Sequence, residues 1–277
     1  MKRTLFIVSL LALAVILSAC GSSESEGENT SSEGSNEESA QSSGNLLEKI
    51  KENGELLIGT EGTYPPYTFH NEQDELTGFD VEIAREVAKR LGVEPVFKET
   101  KWDSMFAGLN SKRFDMVANQ VGITPERQEK YSFSDSYIQS SAVIVTHKDN
   151  TSISTFEDLK GVKTAQSLTS NFAKIAKEND ADITSVEGFN ESMQLLSSKR
   201  VEATVNDRLS VLDFMKQRPD APVKIAARQD EASKSGLLFR QGNDELVKAV
   251  NQALQEMKDD GTYLEISKEW FGEDVSK

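Results

Sequence analysis

Short buried strands alternate with amphipathic helices along most of this chain, and the alternation limits the folds that it can adopt. The apolar run at 56–58 predicts a strand, and apolar residues spaced four apart predict a helix over 79–91. The alternation continues to residue 118 and starts again at residue 141. It predicts mainly parallel sheets, with ligands bound beyond the carboxyl ends of their strands. Two such halves predict an α/β fold with two lobes.

The N-terminal segment is predicted to lie outside the fold. Two basic residues precede an apolar run at 5–17, which is typical of a secretory signal and is short for a membrane span. Cys20 follows Leu-Ser-Ala and resembles the lipidation site of bacterial lipoproteins. We therefore expect a signal peptide at 1–19, acyl chains such as palmitate on the cysteine, and a flexible tether at 20–44 that is rich in Ser and Glu.

Composition disfavours several classes of site. Cys20 is the only cysteine, and His70 and His147 are the only histidines. A disulfide framework, a cysteine nucleophile and a Cys or His metal cluster are therefore not expected. The formal net charge of −15 disfavours nucleic-acid binding, because such binding needs a basic face. We expect a monomer with no metal or other cofactor.

One strand–turn–helix segment points to an anion site. The run at 114–118 predicts a buried strand, and Thr124 followed by Pro125 predicts the start of a helix. Arg127 in the first helical turn would oppose the helix dipole, unless an anion lies nearby. A planar guanidinium beside the backbone N–H groups near Gly122 would bind a carboxylate. A solvated surface arginine is the alternative interpretation.

Other candidate groups also follow predicted strands. Tyr64 lies in an aromatic loop, and Trp102 opens a helix; both rings could face an alkylammonium or simply pack in the core. Ser170 belongs to a hydroxyl-rich helix start that suits an anion, and Asp207 could receive an ammonium. Taken singly, these two residues are better explained as helix N-caps. Together with Arg127, the set suits a zwitterion with an α-carboxylate and an α-ammonium.

Motifs over the whole chain after the tether resemble a known family. They are Gly78-Phe79-Asp80-Val81-Glu82-Ile83-Ala84, Ile123-Thr124-Pro125-Glu126-Arg127, Phe133-Ser134-Asp135 and the ending from Asp260 to Gly272. This set resembles the type 3 family of extracellular solute-binding proteins of ABC amino-acid importers. Four more segments are similar to the cystine-binding members of that family: 59–64, 104–110, 117–122 and 166–171.

The resemblance implies a type II periplasmic-binding-protein fold. In that fold, two α/β lobes with mixed, mainly parallel sheets are joined by a two-strand hinge and close on one amino acid. We expect lobe 1 at 45–138 and 237–277, and lobe 2 at 139–236. The hinges are expected near 137–142 and 233–237.

Matching motif positions imply the ligand site. Arg127, Gly122 and Ser170 would hold the α-carboxylate, and Asp207 would take the α-ammonium. Many relatives carry Ser or Thr where this chain has Gly122, which leaves only a backbone N–H at that position. The full set of expected binding residues is Glu61, Tyr64, Trp102, Asn119, Gln120, Gly122, Arg127, Ser167, Ser170 and Asp207.

The outer part of the site is expected to select the ligand. Tyr64 and Trp102 would flank the ligand, and Glu61 would reach its distal part. Asn119 and Gln120 stand where many relatives have small residues, so their amides would meet a larger polar ligand.

We therefore expect a non-enzymatic receptor, lipid-anchored on the extracellular face of the cell membrane. It would deliver L-cystine to an ABC permease with its ATPase subunit. The same role for glutamine or arginine is the first alternative. An enzyme such as a dehydratase on the same fold is the second, because fold alone does not give function. A sensor module of a signalling receptor is the third.

Overall fold

A computed structural model describes residues 45–277 of the chain. The predicted signal peptide, the lipidation site at Cys20 and the tether at 20–44 lie outside these residues. Within 45–277, no helix is both long enough and apolar enough to cross a membrane.

Nine α-helices and fifteen strands form the described part of the chain. The helices are α1 (Leu46–Asn53), α2 (Phe79–Leu91), α3 (Trp102–Asn110), α4 (Pro125–Gln128), α5 (Asn171–Glu178), α6 (Phe189–Ser197), α7 (Arg208–Gln217), α8 (Asp244–Asp259) and α9 (Thr262–Phe271). The strands are β1 (Glu55–Thr60), β2 (Thr63–Tyr64), β3 (Thr68–His70), β4 (Leu76–Thr77), β5 (Glu94–Glu99), β6 (Met116–Val117), β7 (Tyr131–Phe133), β8 (Ile138–Ser140), β9 (Ala142–His147), β10 (Lys163–Gln166), β11 (Asp182–Ser185), β12 (Ala203–Asp207), β13 (Val223–Arg228), β14 (Ser233–Ser235) and β15 (Leu238–Arg240).

Two five-stranded sheets organise these elements. The first sheet has the order β5-β1-β6-β15-β7, and the second has the order β11-β10-β12-β9-β13. In each sheet the first three strands run parallel, and the fourth runs antiparallel to both of its neighbours. Because parallel strands end at the same edge, each sheet gathers three successive loops at one edge.

Helix α2 shows why the predicted helices form. Ile83 and Val87 lie one turn apart and are fully buried, together with Phe79, in the apolar core beside β1. Gly92 ends the helix with a φ of +76°, a left-handed conformation that glycine adopts without steric cost. The predicted bounds of this helix, 79–91, match the structure.

The chain passes between the two sheets twice, through β8 and β14. These strands pair antiparallel, with Ile138 opposite Ser235 and Ser140 opposite Ser233. The Tyr137 N–H donates to the carbonyl oxygen of Ser235 at 3.1 Å, which extends the pairing. The paired strands occupy the two segments that were expected to act as hinges.

Two predicted helix starts are wrong. The spacing of Ser154 and Glu157 predicts a capping box, but the Asp158 carboxylate accepts the Ser154 N–H at 2.9 Å instead. A short 3-10 turn follows, without a side-chain cap. Thr262 was expected to cap the last helix but is its first residue, because Gly261 at φ +88° holds the cap position.

Several short strands were not predicted. The loop expected over 61–69 contains β2 and β3, which form a small antiparallel sheet with β4. Strand β13 forms one edge of the second sheet, and its segment mixes Val223 and Ile225 with two alanines and two basic residues. Pairing with β9 supplies the structure that the local pattern does not indicate.

Candidate functional site

A cleft lies between the carboxyl edges of the two sheets. Loops after β1, β5 and β6 form one wall, and segments at the ends of β10, β11 and β12 form the other. The lining residues are Glu61, Tyr64, Trp102, Asn119, Gln120, Gln166, Ser167, Ser170, Asn171, Phe172, Gly188, Phe189, Ser192 and Asn206. Every parallel strand of both sheets therefore contributes to the cleft, which is the expected position for a ligand of α/β sheets.

The Glu61 carboxylate is an acidic group in the cleft wall, and Asn119 holds it in place. The Asn119 amide nitrogen donates to the Glu61 carboxylate at 2.7 Å, and its oxygen accepts the Glu61 N–H at 2.7 Å. Burial raises the pKa of Glu61 to about 7, although the hydrogen bond from Asn119 acts to lower it. Among residues 45–277, no basic side chain forms an ion pair with this carboxylate. A ligand cation would therefore stabilise its ionised form.

Tyr64 connects the two walls of the cleft. Its hydroxyl lies 3.0 Å from Oδ1 of Asn206 on the second sheet and 3.3 Å from Oε1 of Gln120 on the first. Its ring meets Phe189 edge to face, with the centroids 5.8 Å apart. A tyrosine hydroxyl has a single proton, so it can donate fully to only one of these two oxygens.

Gln120 takes a strained backbone conformation to reach the cleft. Its φ is +48°, a backbone conformation that residues other than glycine seldom adopt. The fully buried Asp80 carboxylate accepts the Gln120 N–H at 2.5 Å and the Tyr137 hydroxyl at 2.8 Å. Asp80 therefore ties a residue of the cleft wall to the residue just before the connecting strand β8.

Arg127 lies at the rim, between the cleft and an outer cavity. Its guanidinium donates to the carbonyl oxygens of Gly122 at 2.9 Å and Thr169 at 3.3 Å. The guanidinium carbon lies 5.3 Å from the centroid of the Trp102 ring and 5.2 Å from that of Phe106. Burial lowers the pKa of Arg127 to about 10, so the group stays charged at neutral pH. Two of its five N–H donors are used, which leaves others for an anion.

Ser170 and Asp207 are both helix N-caps in the structure. The Ser170 hydroxyl accepts the Ala173 N–H at 3.0 Å at the start of α5. Oδ1 of Asp207 accepts the Leu209 N–H at 2.9 Å at the start of α7. The structural interpretation therefore holds for both residues. It does not exhaust their side chains, since Ser170 also lines the cleft.

Asp207, next in sequence to the cleft-lining Asn206, has one carboxylate oxygen without a hydrogen bond in the described part of the chain. The residue is fully buried, and its Oδ1 accepts the Tyr67 hydroxyl at 2.8 Å from the first-sheet side. Its Oδ2 has no hydrogen-bond partner among the described residues. Burial raises the pKa of Asp207, against the lowering effect of nearby hydroxyl and N–H groups. An ammonium of the ligand could satisfy this oxygen.

Further polar contacts join the two walls at the rim. Asp103 accepts the Thr169 N–H at 3.1 Å and the Thr169 hydroxyl at 2.7 Å. Two ion pairs also cross between the walls: Lys174 with Glu126 and Lys101 with Glu187. The two sheets are thus held together around the cleft by several direct contacts.

The structure brings together most of the predicted residues. Seven line the cleft directly, namely Glu61, Tyr64, Trp102, Asn119, Gln120, Ser167 and Ser170. Arg127 borders the outer cavity, and a Cβ atom at Gly122 would lie 3.5 Å from its guanidinium. Asp207 is fully buried and is not itself a lining residue, but it directly follows the lining residue Asn206. Whether each of them binds a ligand stays a prediction.

Other lining residues were not predicted as binding residues. They are Gln166, Asn171, Phe172, Gly188, Phe189, Ser192 and Asn206. Several stand at the carboxyl ends of strands, the position that made Tyr64, Trp102 and Ser170 candidates. No group of three or more acidic, His or Cys side chains within 45–277 is placed to hold a metal.

Comparison with known proteins gives a family. The model of the bacterial extracellular solute-binding proteins, family 3, matches residues 56–273. The L-cystine-binding protein TcyA of Bacillus subtilis (strain 168) is 49% identical over 278 residues, covering 100% of both chains.

Solved structures of a ligand-bound protein and of an unliganded protein match the chain. An ancestral arginine-binding protein bound to arginine matches with a TM-score of 0.75 at 40% identity, covering 79% of this chain and 98% of that one. The L-cystine solute receptor of Neisseria gonorrhoeae, in the unliganded open conformation, matches with a TM-score of 0.57 at 48% identity, covering 84% and 100%.

These matches confirm the predicted fold class and the non-enzymatic role, because the relatives are named as binding proteins. The family model spans nearly all of the described residues, and TcyA exceeds 30% identity over its full length. The chain belongs to family 3 of the bacterial extracellular solute-binding proteins.

Proposed function

We propose that this chain is a lipid-anchored receptor that binds L-cystine between two closing lobes and delivers it to an ABC permease. Lobe 1 comprises residues 45–138 and 237–277, and lobe 2 comprises residues 139–236. The observation that carries the proposal is a cleft bordered by two groups of opposite charge: Asp207, which has a carboxylate oxygen without a hydrogen bond to the described residues, and Arg127, which has spare donors. This pair matches the ammonium and the carboxylate of an amino acid.

The α-amino-acid head is assigned to Arg127 at the rim and to the buried Asp207. Arg127 would donate to the α-carboxylate, with the Gly122 backbone and the Ser170 hydroxyl beside it. Asp207 would accept from the α-ammonium through its unused Oδ2. Trp102, which stacks on Arg127, and Tyr64 would enclose the ligand.

The distal half of the ligand is assigned to Glu61 and its neighbours. Glu61 is held by Asn119 and lacks a cationic partner among the described residues, so it suits a second ammonium. L-cystine has such a group, whereas glutamine does not. Arginine has a distal cation but no distal carboxylate. The similarity to L-cystine-binding TcyA supports the choice of cystine.

The described conformation fits a closed state of the receptor. Contacts such as Asp103 with Thr169 and Tyr67 with Asp207 cross between the lobes. The chain superposes better on an arginine-bound structure than on an unliganded open relative that is more similar in sequence. Closure would proceed about β8 and β14.

Competition calorimetry on protein lacking residues 1–44 tests the ligand. We expect cystine to bind and to resist displacement by equal concentrations of glutamine, arginine or cysteine. Displacement by glutamine or arginine, or no heat with cystine, would refute the proposed specificity and leave the family assignment intact.

The lipid anchor has a separate test. Full-length protein should fractionate with membranes, and Cys20→Ser should release it while leaving ligand binding unchanged. A Cys20→Ser protein that remains in the membrane fraction would show that the lipidation proposal is wrong.

A further inference from the structure

Gln166 is a polar residue of the cleft that the proposed function leaves without a role. It is the last residue of β10, it is only 2% exposed, and it lines the cleft. Its amide nitrogen Nε2 is buried and has no hydrogen-bond partner among residues 45–277. A buried donor without a partner is costly, so such groups generally serve a ligand or a bound water.

Trp102 presents a second donor of the same kind. Its ring is 7% exposed and lines the same cleft, and its indole Nε1 has no partner within the described chain. The indole N–H can only donate, so it needs an acceptor. Gln166 and Trp102 come from opposite walls, and the ligand would lie between those walls.

The groups already assigned do not use these donors. Arg127 and Ser170 would hold the α-carboxylate at the rim, and Asp207 and Glu61 would accept from the two ammonium groups. The remaining charged group of a two-headed amino acid is its distal carboxylate. It is an acceptor, which is the partner that Gln166 and Trp102 lack.

We propose that the Gln166 amide, assisted by the Trp102 indole N–H, binds the distal carboxylate of the ligand and thereby selects two-headed amino acids. This inference rests on the proposed function. It adds a specificity-determining residue that contacts the ligand half away from Arg127. It also explains how a cleft with a single arginine at its rim could accept a second carboxylate.

Matched ligands isolate the distal carboxylate. The mixed disulfide of cysteine and cysteamine keeps the disulfide and the distal ammonium of cystine but lacks the distal carboxylate. Wild-type protein should bind it about 10-fold more weakly than cystine, which corresponds to losing one hydrogen bond to a charged group.

Variants then assign the effect to Gln166. Gln166→Leu should weaken cystine binding about 10-fold and change binding of the cysteamine disulfide by less than about 2-fold. Gln252→Leu, a change at an exposed glutamine outside the cleft, should leave both affinities unchanged. Equal losses for the two ligands, or no loss for cystine, would overturn the assignment.

A second variant, Gln166→Glu, tests the same role if Gln166→Leu does not fold. Gln166→Glu keeps the shape but replaces the donor with a carboxylate, so it should weaken cystine binding more than binding of the cysteamine disulfide. An equal effect on both ligands would overturn the inference. Wild-type protein that fails to bind cystine would refute the proposed ligand itself, whereas normal wild-type binding with an unaffected variant would refute only the role of Gln166.

Discussion

The affinity for cystine should fall on acidification, and Glu61 should be the cause. Burial holds the pKa of Glu61 at about 7, and its assigned role is to pair with the distal ammonium in ionised form. A carboxyl group with that pKa is about 90% protonated at pH 6 and about 25% protonated at pH 7.5. Binding must remove the proton, so the dissociation constant should be about 8-fold larger at pH 6 than at pH 7.5.

Stability of the ligand-free protein should change in the opposite direction. The ordinary pKa of 4.5 for Glu61 applies to the unfolded chain, and the folded value is raised. The folded state therefore binds the proton more tightly, and stability falls as the pH rises from about 4.5 to about 7. Asp80, whose pKa burial also raises to about 7, acts in the same direction.

Calorimetric titrations at pH 6 and 7.5, beside thermal unfolding without ligand, would measure both effects. Glu61→Gln removes the titrating group and keeps an amide-sized side chain, so its cystine affinity should be weaker and nearly independent of pH in this range. A pH dependence that persists in Glu61→Gln would refute the role of Glu61 and point to Asp207 or Asp80, whose pKa values burial also raises. Higher unfolding temperatures at pH 7.5 than at pH 6 would contradict the predicted sign for stability.

Three further predictions concern groups around the cleft. Arg127→Ala should weaken cystine binding by at least about 100-fold in calorimetry, because removing one partner of a buried ion pair costs about 3–5 kcal/mol. Arg127→Lys keeps the charge but not the paired donors, so it should lose part of the affinity. Unchanged affinity in Arg127→Ala would refute the assignment. Lys174→Glu breaks the ion pair with Glu126 and should weaken cystine binding about 3-fold at low salt. The double variant Lys174→Glu, Glu126→Lys reverses the pair and should restore the affinity. If it does not, the pair has no role in closure. Asp80→Ala removes the acceptor of the Gln120 N–H, so it should weaken cystine binding about 10-fold and move the Gln120 amide proton resonance upfield in an NMR spectrum. An unmoved resonance would refute the role of Asp80 in holding the strained backbone of Gln120.

Much of the fold follows from local pattern, and the exceptions have physical causes. Helix α2 combines apolar periodicity with a clear end at Gly92, so both of its bounds could be predicted to the residue. Strands β2 and β13 could not, because their residues gain stability from partners distant in the sequence. The capping error at Ser154 arose because Asp158, one residue beyond Glu157, competes for the same N–H.

The site also contains residues that the sequence predicts and residues that it does not. The strand-end position of Ser170 made it a candidate, since the carboxyl edge of a parallel sheet is visible in the order of elements, whereas Glu61 was expected from the family resemblance. Gln166 ends a strand as well, but sequence alone does not indicate which face of the strand its side chain takes. The signal that could have found it is a polar residue with a long side chain in an otherwise buried strand.

Closure and specificity are physically linked in this cleft. In the closed arrangement, Asp207 Oδ2, Gln166 Nε2 and Trp102 Nε1 are buried without partners in the described chain. Each such group destabilises that arrangement by about 1–3 kcal/mol, whereas water would satisfy it in an open cleft. The rim contacts, such as Asp103 with Thr169, are largely exposed and offset only part of this cost. A ligand that pairs with every one of these groups would shift the equilibrium to the closed form, while a single-headed amino acid would leave donors unpaired and close the cleft less completely. Discrimination against cysteine would then arise mainly from the fraction of receptor that closes, because its α-amino-acid head would make the same proposed contacts at Arg127 and Asp207.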